Sequence, residues 1–157
     1  MPLLGGLWLQ RRIAYVASGP NGSNGQQADI FIYDLAADGS VNVTNTPDVN
    51  EDHPAYSPAD ERIAFIRLIT VRGTYRYDIF TIPAVGGTAL QVTTKGTTGA
   101  AQNLFPSFSP DGQYLSFASG ASLFAFDIYR IKADGSGKAV NLTGKRTGSF
   151  RYNRWRR

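Results

Sequence analysis

The chain has 157 residues, 42% hydrophobic and 18% charged, with a formal net charge of +4, which is ordinary globular usage and enough chain for one sizeable core. There is no cysteine and a single histidine, His53, so disulfides, thiolate metal sites, His-rich zinc sites and a Cys-His pair are excluded within one chain. No segment approaches the roughly 20 apolar residues that span a bilayer.

Residues 1–12, MPLLGGLWLQRR, form a lead segment whose charges follow its apolar run and which carries no small-residue cleavage site, a poor match to a signal peptide. From residue 13 to 157 the chain repeats itself with a period of about 49–52 residues. RRIAYVAS (Arg11 to Ser18) opens the series, followed by ADIFIYDLAADGSVNVTN (Ala28 to Asn45). HPAYSPADERIAFIR (His53 to Arg67) and YDIFTIPAVGGTALQVTT (Tyr77 to Thr94) come next, then FPSFSPDGQYLSFAS (Phe105 to Ser119) and FDIYRIKADGSGKAVNLTG (Phe126 to Gly144). YNRWRR (Tyr152 to Arg157) repeats the PAYS and PSFS element, with Trp155 in the place of Tyr56 and Phe108.

Each full unit reads as four antiparallel strands: A (PAYS, PSFS), B (IAFIR, LSFAS), C (DIFTI, DIYRI) and D (LQVT, VNLT). Ser-Pro turns join A to B, with Asp60 expected to take the left-handed conformation where the other copy has Gly112. Glycine turns join C to D, at Gly39, at Gly86 or Gly87, and at Gly135. The chain order is then B-C-D, A-B-C-D, A-B-C-D, A, twelve strands in all. The C strands are apolar on both alternating faces, and such a strand must be covered on both, as when sheets stack face to face around an axis. The expected fold is all-β: β-propeller blades of four antiparallel strands, three blades per chain, forming a six-bladed ring as a dimer. Almost no helix is expected.

The combination of PAYSP, PSFSPDG, LSFAS, DIYRIKADG and VNLT resembles the repeat of TolB-like propellers, which also occurs in the propeller domains of prolyl-oligopeptidase-type peptidases. The resemblance implies a non-catalytic module whose loops and axial channel bind other proteins, and a location in the cell envelope or periplasm. The accompanying N-terminal domain and the remaining blades of a six-bladed ring have no counterpart here. Two alternatives stay open: a fragment of the gating propeller of a prolyl-oligopeptidase-type peptidase, and a truncated product without independent function.

Candidate binding residues at the channel mouth are Asp52, His53 and Asn103. His53 follows Glu51 and Asp52 in EDHPAYS, and its alternative is a solvated loop residue. An assembly seam is expected where Tyr152 and Trp155 pair beside Ile13 and Tyr15, in the same chain or in a second copy, so the expected partners are an unidentified protein and a further copy of the chain. No catalytic residue is assigned, because no G-x-S-x-G elbow presents a serine to His53, and no metal or cofactor is expected. DGSGK (Asp134 to Lys138) lacks the spacing of a phosphate or calcium loop and reads as a hairpin turn. Residues 13–143 hold twelve acidic against eight basic residues, whereas Arg11, Arg12, Lys145, Arg146, Arg151, Arg154, Arg156 and Arg157 make the ends basic. The end charges read as a solvated tail rather than a nucleic-acid surface. The sequons at Asn21, Asn42 and Asn141 matter only in a eukaryotic secretory setting.

Overall fold

The computed structural model describes residues 12–18, 27–46, 48–94, 98, 102–122, 125–144, 148–150 and 152–155. The basic positions Arg11, Lys145, Arg146, Arg151, Arg156 and Arg157, the sequon start Asn21 and residues 1–10 of the lead segment lie outside these residues. The strands among the described residues are β1 (Arg12–Ser18), β2 (Ala28–Asp34), β3 (Gly39–Asn42), β4 (Glu51–Tyr56), β5 (Arg62–Val71), β6 (Thr74–Pro83), β7 (Leu90–Gln91), β8 (Gln102–Phe108), β9 (Tyr114–Ser122), β10 (Ala125–Lys132) and β11 (Val140–Asn141). Among the described residues no helix is long and apolar enough to cross a membrane.

The strands form three antiparallel units in chain order, β1-β2-β3, β4-β5-β6-β7 and β8-β9-β10-β11. Among the described residues, the second and third are joined in one hydrogen-bonded sheet by a parallel bridge between Tyr77 and Gln102. Tyr152–Trp155 has no strand pairing, and its packing is described below.

The both-faced apolar pattern decides how the units stack. In the middle unit Ile63, Phe65, Phe80 and Ile82 are buried against Ile30, Ile32 and Val43 of the first unit. The alternate residues Ala64, Ile66 and Ile79 are buried against Leu104, Leu115 and Phe117 of the third. One sheet thus separates two cores, as period-two alternation of apolar residues requires. Arginines at the start of B strands add cross-unit ties: Arg12 donates to Asp34 at 3.1 Å and to Glu61 of the next unit. Arg62 donates to the Gly112 carbonyl at 2.9 Å and lies 5.5 Å from the Phe108 ring.

Three local expectations are corrected. In the Ser57-Pro58 turn Asp60 does not take the left-handed conformation adopted by Gly112 (φ 69°); its carboxylate holds Arg62 at 2.7 Å instead. In the first C-to-D turn it is Asp38 (φ 49°), not Gly39, that turns left-handed, whereas Gly86 and Gly135 do so in the others. β5 and β6 run well beyond the expected segments, meeting at a two-residue turn of Arg72 (φ 50°) and Gly73 (φ 76°). Two positive φ values match a type I′ hairpin, whose twist suits the flanking strands.

Candidate functional site: an aromatic row on the innermost strands

The A-type segments, β4, β8 and Tyr152–Trp155, carry the same local distortion at the same repeat position. β4 and β8 each break register against the following strand, between Asp52 and Ala55 and between Leu104 and Ser107. At each break an aromatic residue adopts a left-handed backbone, His53 at φ 53° and Phe105 at φ 56°, and Tyr152 repeats it at φ 51°. For side chains of this bulk that conformation costs about 1–2 kcal/mol per residue, and residues preceding proline, as His53 and Phe105 do, are normally biased toward extended backbone.

The distortion brings the three rings into a row. His53 and Phe105 meet edge to face with centroids 4.7 Å apart, and Phe105 and Tyr152 lie tilted at 4.8 Å. A cleft of 360 Å³ opens over the row, flanked by Pro54, Pro106 and Arg154. A second, of 490 Å³, runs between the three A-type segments past Tyr56, Phe108 and Trp155. Trp155 is held there by its indole N–H, which donates to the Ser107 carbonyl at 3.0 Å, and Asn153 donates to the Ser116 hydroxyl.

Of the residues expected at the mouth, Asp52 and His53 are at one end of the ring row: the Asp52 carboxylate lies 3.4 Å from His53 Nδ1 and accepts the His53 backbone N–H at 2.6 Å. Asn103 is not. It is fully buried, its amide donating to Asp78 Oδ1 at 3.1 Å while its carbonyl accepts the Ser119 hydroxyl at 2.8 Å. The physical reason is the break in register: it inverts the alternation of faces, so the residue two places before it turns into the sheet stack. Of the seam residues, Ile13 is half exposed and Tyr15 stacks on Phe31 with centroids 5.7 Å apart. Tyr152 meets Phe105 and Trp155 bonds the Ser107 carbonyl, both on β8, and among the described residues neither is paired with β1.

Asn103 belongs to a latch that recurs in every unit. Asp29, Asp78 and Asp127, which begin the C motifs, each accept a D-strand hydroxyl: Thr44 at 3.3 Å, Thr93 at 3.4 Å and Thr143 at 2.9 Å. Each hydroxyl in turn accepts the backbone N–H after the aspartate, from Ile30, Ile79 and Ile128 at 3.0, 2.8 and 2.9 Å. A side-chain amide two residues before the threonine completes the latch, from Asn42, Gln91 and Asn141 at 2.7, 3.1 and 3.0 Å. The short D strands are thereby clamped where their ladders offer few backbone bonds. The signal was in the sequence, as Asp followed at fixed distance by Asn/Gln-x-Thr, and sequence reading missed it. In the middle unit Asp78 is fully buried, paired with Arg76 at 2.8 Å and tied to the third unit through Asn103.

Glu51 is the counterpart of Asn103 one repeat earlier. Its buried carboxylate pairs with Arg67 at 2.6 Å, and the guanidinium lies 4.5 Å from the Phe80 ring. Burial pushes the Glu51 carboxyl up from its ordinary value, against the opposing pull of Thr44, Arg67 and Thr46. Among the described residues no group of three or more His, Asp or Glu side chains is placed to hold a metal ion.

Antiparallel units stacked face to face, with the A-type segments β4, β8 and Tyr152–Trp155 around a shared cleft, define a β-propeller type of fold. Solved structures carry the same fold. TolB from Acinetobacter baumannii superposes with a TM-score of 0.60 at 19% identity, over 84% of this chain and 29% of that one. A protein assigned as TolB from Agrobacterium tumefaciens gives 0.60 at 18% identity, over 85% of this chain and 42% of that one. The chain therefore spans less than half the length of either, and the likeness at these identities is one of fold. No protein-family model matches the chain, and no curated protein sequence matches it.

Proposed function

We propose that the chain is a non-catalytic protein-binding module of TolB-like type, in which residues 13–157 make three propeller blades and the A strands receive an extended polypeptide segment. The observation that carries this reading is the threefold recurrence of a strained aromatic residue at one repeat position. Glycine would satisfy a left-handed backbone without cost, yet His53, Phe105 and Tyr152 each keep an aromatic side chain there. Strain held in place by its surroundings and directed at a solvent-accessible cleft is a mark of function. The row supplies apolar contact, and Asp52 at one end and Arg154 at the other supply opposite charges to fix the direction of a bound chain. Aromatic and proline-lined grooves of this kind suit extended peptides, whose backbone groups stay free to hydrogen-bond at the rim.

Selection of a displayed random peptide library on the purified protein tests this. Enriched peptides should bind the intact chain and lose at least tenfold in affinity to Phe105→Gly, a change that removes the ring without adding backbone strain. Failure to enrich any peptide, or enrichment of peptides indifferent to Phe105→Gly and Tyr152→Ala, would refute the reading.

A further inference from the structure

We propose, resting on the peptide-binding reading given above, that a pocket beside Asp52 is a subsite for one lysine side chain of the bound segment, with the aliphatic stem inside and the ammonium at the Asp52 carboxylate. The pocket holds 290 Å³, and Asp52, His53, Ile66, Tyr77, Leu104 and Phe105 are among its lining residues. These six belong to β4, β5, β6 and β8, so the pocket lies at the junction of two adjoining units of one chain. His53 and Phe105 also line the cleft over the aromatic row. A chain lying along the row therefore passes the pocket and can drop one side chain into it.

The interior of the pocket is apolar. Ile66 and Leu104 are buried, and Tyr77 and Phe105 pack against the same core. Its rim is anionic. Asp52 is the direct partner of Ile66 in the β4–β5 pairing, and residues directly opposed in an antiparallel pair project from the same face, which sets the carboxylate beside the apolar interior. Among the described residues no lysine or arginine pairs with that carboxylate; its contacts are the His53 backbone N–H and Nδ1. The neighbouring Glu51 is already matched by Arg67, so the unbalanced charge of the pocket is that of Asp52.

The internal repeat separates this charge from the needs of packing. Asp52 and Leu104 hold the same repeat position, one residue before the left-handed aromatic, and Leu104 opposes Ala118 as Asp52 opposes Ile66. In the third unit the position carries a buried leucine. The second unit has a shorter, charged side chain there that stays more than half exposed. Space and a carboxylate thus stand where the other copy has hydrocarbon.

A group that matches this site has hydrocarbon along its length and a positive charge at its tip. Lysine meets both demands, because it buries its methylene stem along apolar surface while its ammonium stays at the water boundary. Arginine fits less well. A guanidinium binds a carboxylate best through two parallel hydrogen bonds, and one Asp52 oxygen is already committed to the His53 backbone N–H at 2.6 Å.

Peptides selected on the intact protein should carry a lysine at one fixed position. Norleucine in its place keeps the stem and removes the charge, and should lose about fivefold in affinity, the scale of a half-exposed ion pair. Asp52→Asn should weaken the lysine peptide by the same factor and leave the norleucine peptide unchanged, so that the two losses do not add. Asp52→Leu, which installs the residue of the third unit, should abolish the discrimination between the two peptides. Selected peptides with no lysine, an arginine peptide that binds more tightly than the lysine one, or losses that add would overturn the proposal. A small probe, N-acetyl-lysine methylamide, distinguishes this failure from failure of the peptide reading. It should shift the methyl signals of Ile66 and Leu104 in NMR spectra more than N-acetyl-norleucine methylamide does, and Asp52→Asn should remove the difference. Binding of the lysine amide by a protein that enriches no peptide would refute the peptide reading and leave the lysine subsite standing. Peptides bound through Phe105, with no preference for the lysine amide over the norleucine amide, would do the reverse.

Discussion

Asn103 donates from its amide to Asp78 across 3.1 Å, between two side chains that are both fully buried and belong to different units of the stack. The carboxylate also holds Arg76, Gln91 and Thr93, so one buried charge ties together the C strand, the D strand and the following unit. Asp127 makes the equivalent contacts to Asn141 and Thr143 in a half-buried setting.

The two aspartates should therefore differ sharply on substitution. Asp78→Ala leaves an arginine and several donors without their acceptor, a loss of about 3–5 kcal/mol for a broken buried pair. Asp127→Ala should cost about 1–2 kcal/mol, because water can reach the groups left behind. Denaturant melts of the two variants compare them directly, and equal losses would contradict a distinct role for the inter-unit latch.

Phe105 offers a reversal of the usual order of small residues. In an ordinary strand glycine is less stable than alanine by about 0.5–1 kcal/mol. At φ 56° alanine keeps the strain and loses the ring, whereas glycine loses the ring and the strain together. Phe105→Gly should be more stable than Phe105→Ala by about 1 kcal/mol, measured as the difference in unfolding free energy. The ordinary order would show that the left-handed turn is not imposed by the fold.

Glu51 should leave a mark on the pH dependence of stability. Its folded-state pKa is raised above the ordinary 4.5 by burial. The folded state therefore binds the proton more tightly, so the stability contributed by neutral Glu51 is full below about pH 4.5 and is lost as pH rises through the elevated value. Glu51→Gln should flatten this part of the profile, since Asn103 already places a neutral amide at the same repeat position. Unfolding midpoints followed upward from pH 4 in both proteins check it; an unchanged slope in the variant would assign the pH dependence to another group.

Much of this architecture was legible in the residues. DIFIYDL, DIFTI and DIYRI announced strands covered on both faces, and the two cores on either side of the middle unit are the physical form of that pattern. The positions of the Ser-Pro and glycine turns were legible because their chemistry is local, although Asp60 and Gly39 do not take the left-handed conformation expected of them. The site was harder to read. Asp52 and His53 stand out from their place before the A strand, whereas Phe105 does not and Asn103 counts to the wrong face, since counting alternate residues fails across a register break that no single residue type signals. The aspartate latches are hard to read for a different reason: each depends on a threonine 15–16 residues away, a separation that only the recurrence of the motif reveals.

Within the aromatic row, Tyr152 should matter for binding more than for folding. The residue is 79% exposed, so Tyr152→Ala should alter stability by less than about 1 kcal/mol while weakening a selected peptide at least fivefold. Calorimetric titration and a thermal melt of the same variant separate the two effects, and a loss of stability matching the loss of affinity would assign the residue to the fold alone.

The central claim is that the three A-type segments act as one binding surface, and hydrogen exchange measured with and without a saturating selected peptide tests it most directly. Backbone amides in Asp52–Tyr56, Leu104–Phe108 and Asn153–Trp155 should gain protection together on binding, with the outer strands β3, β7 and β11 unchanged. Protection confined to the outer strands, or to one A-type segment without the other two, would contradict a shared axial site.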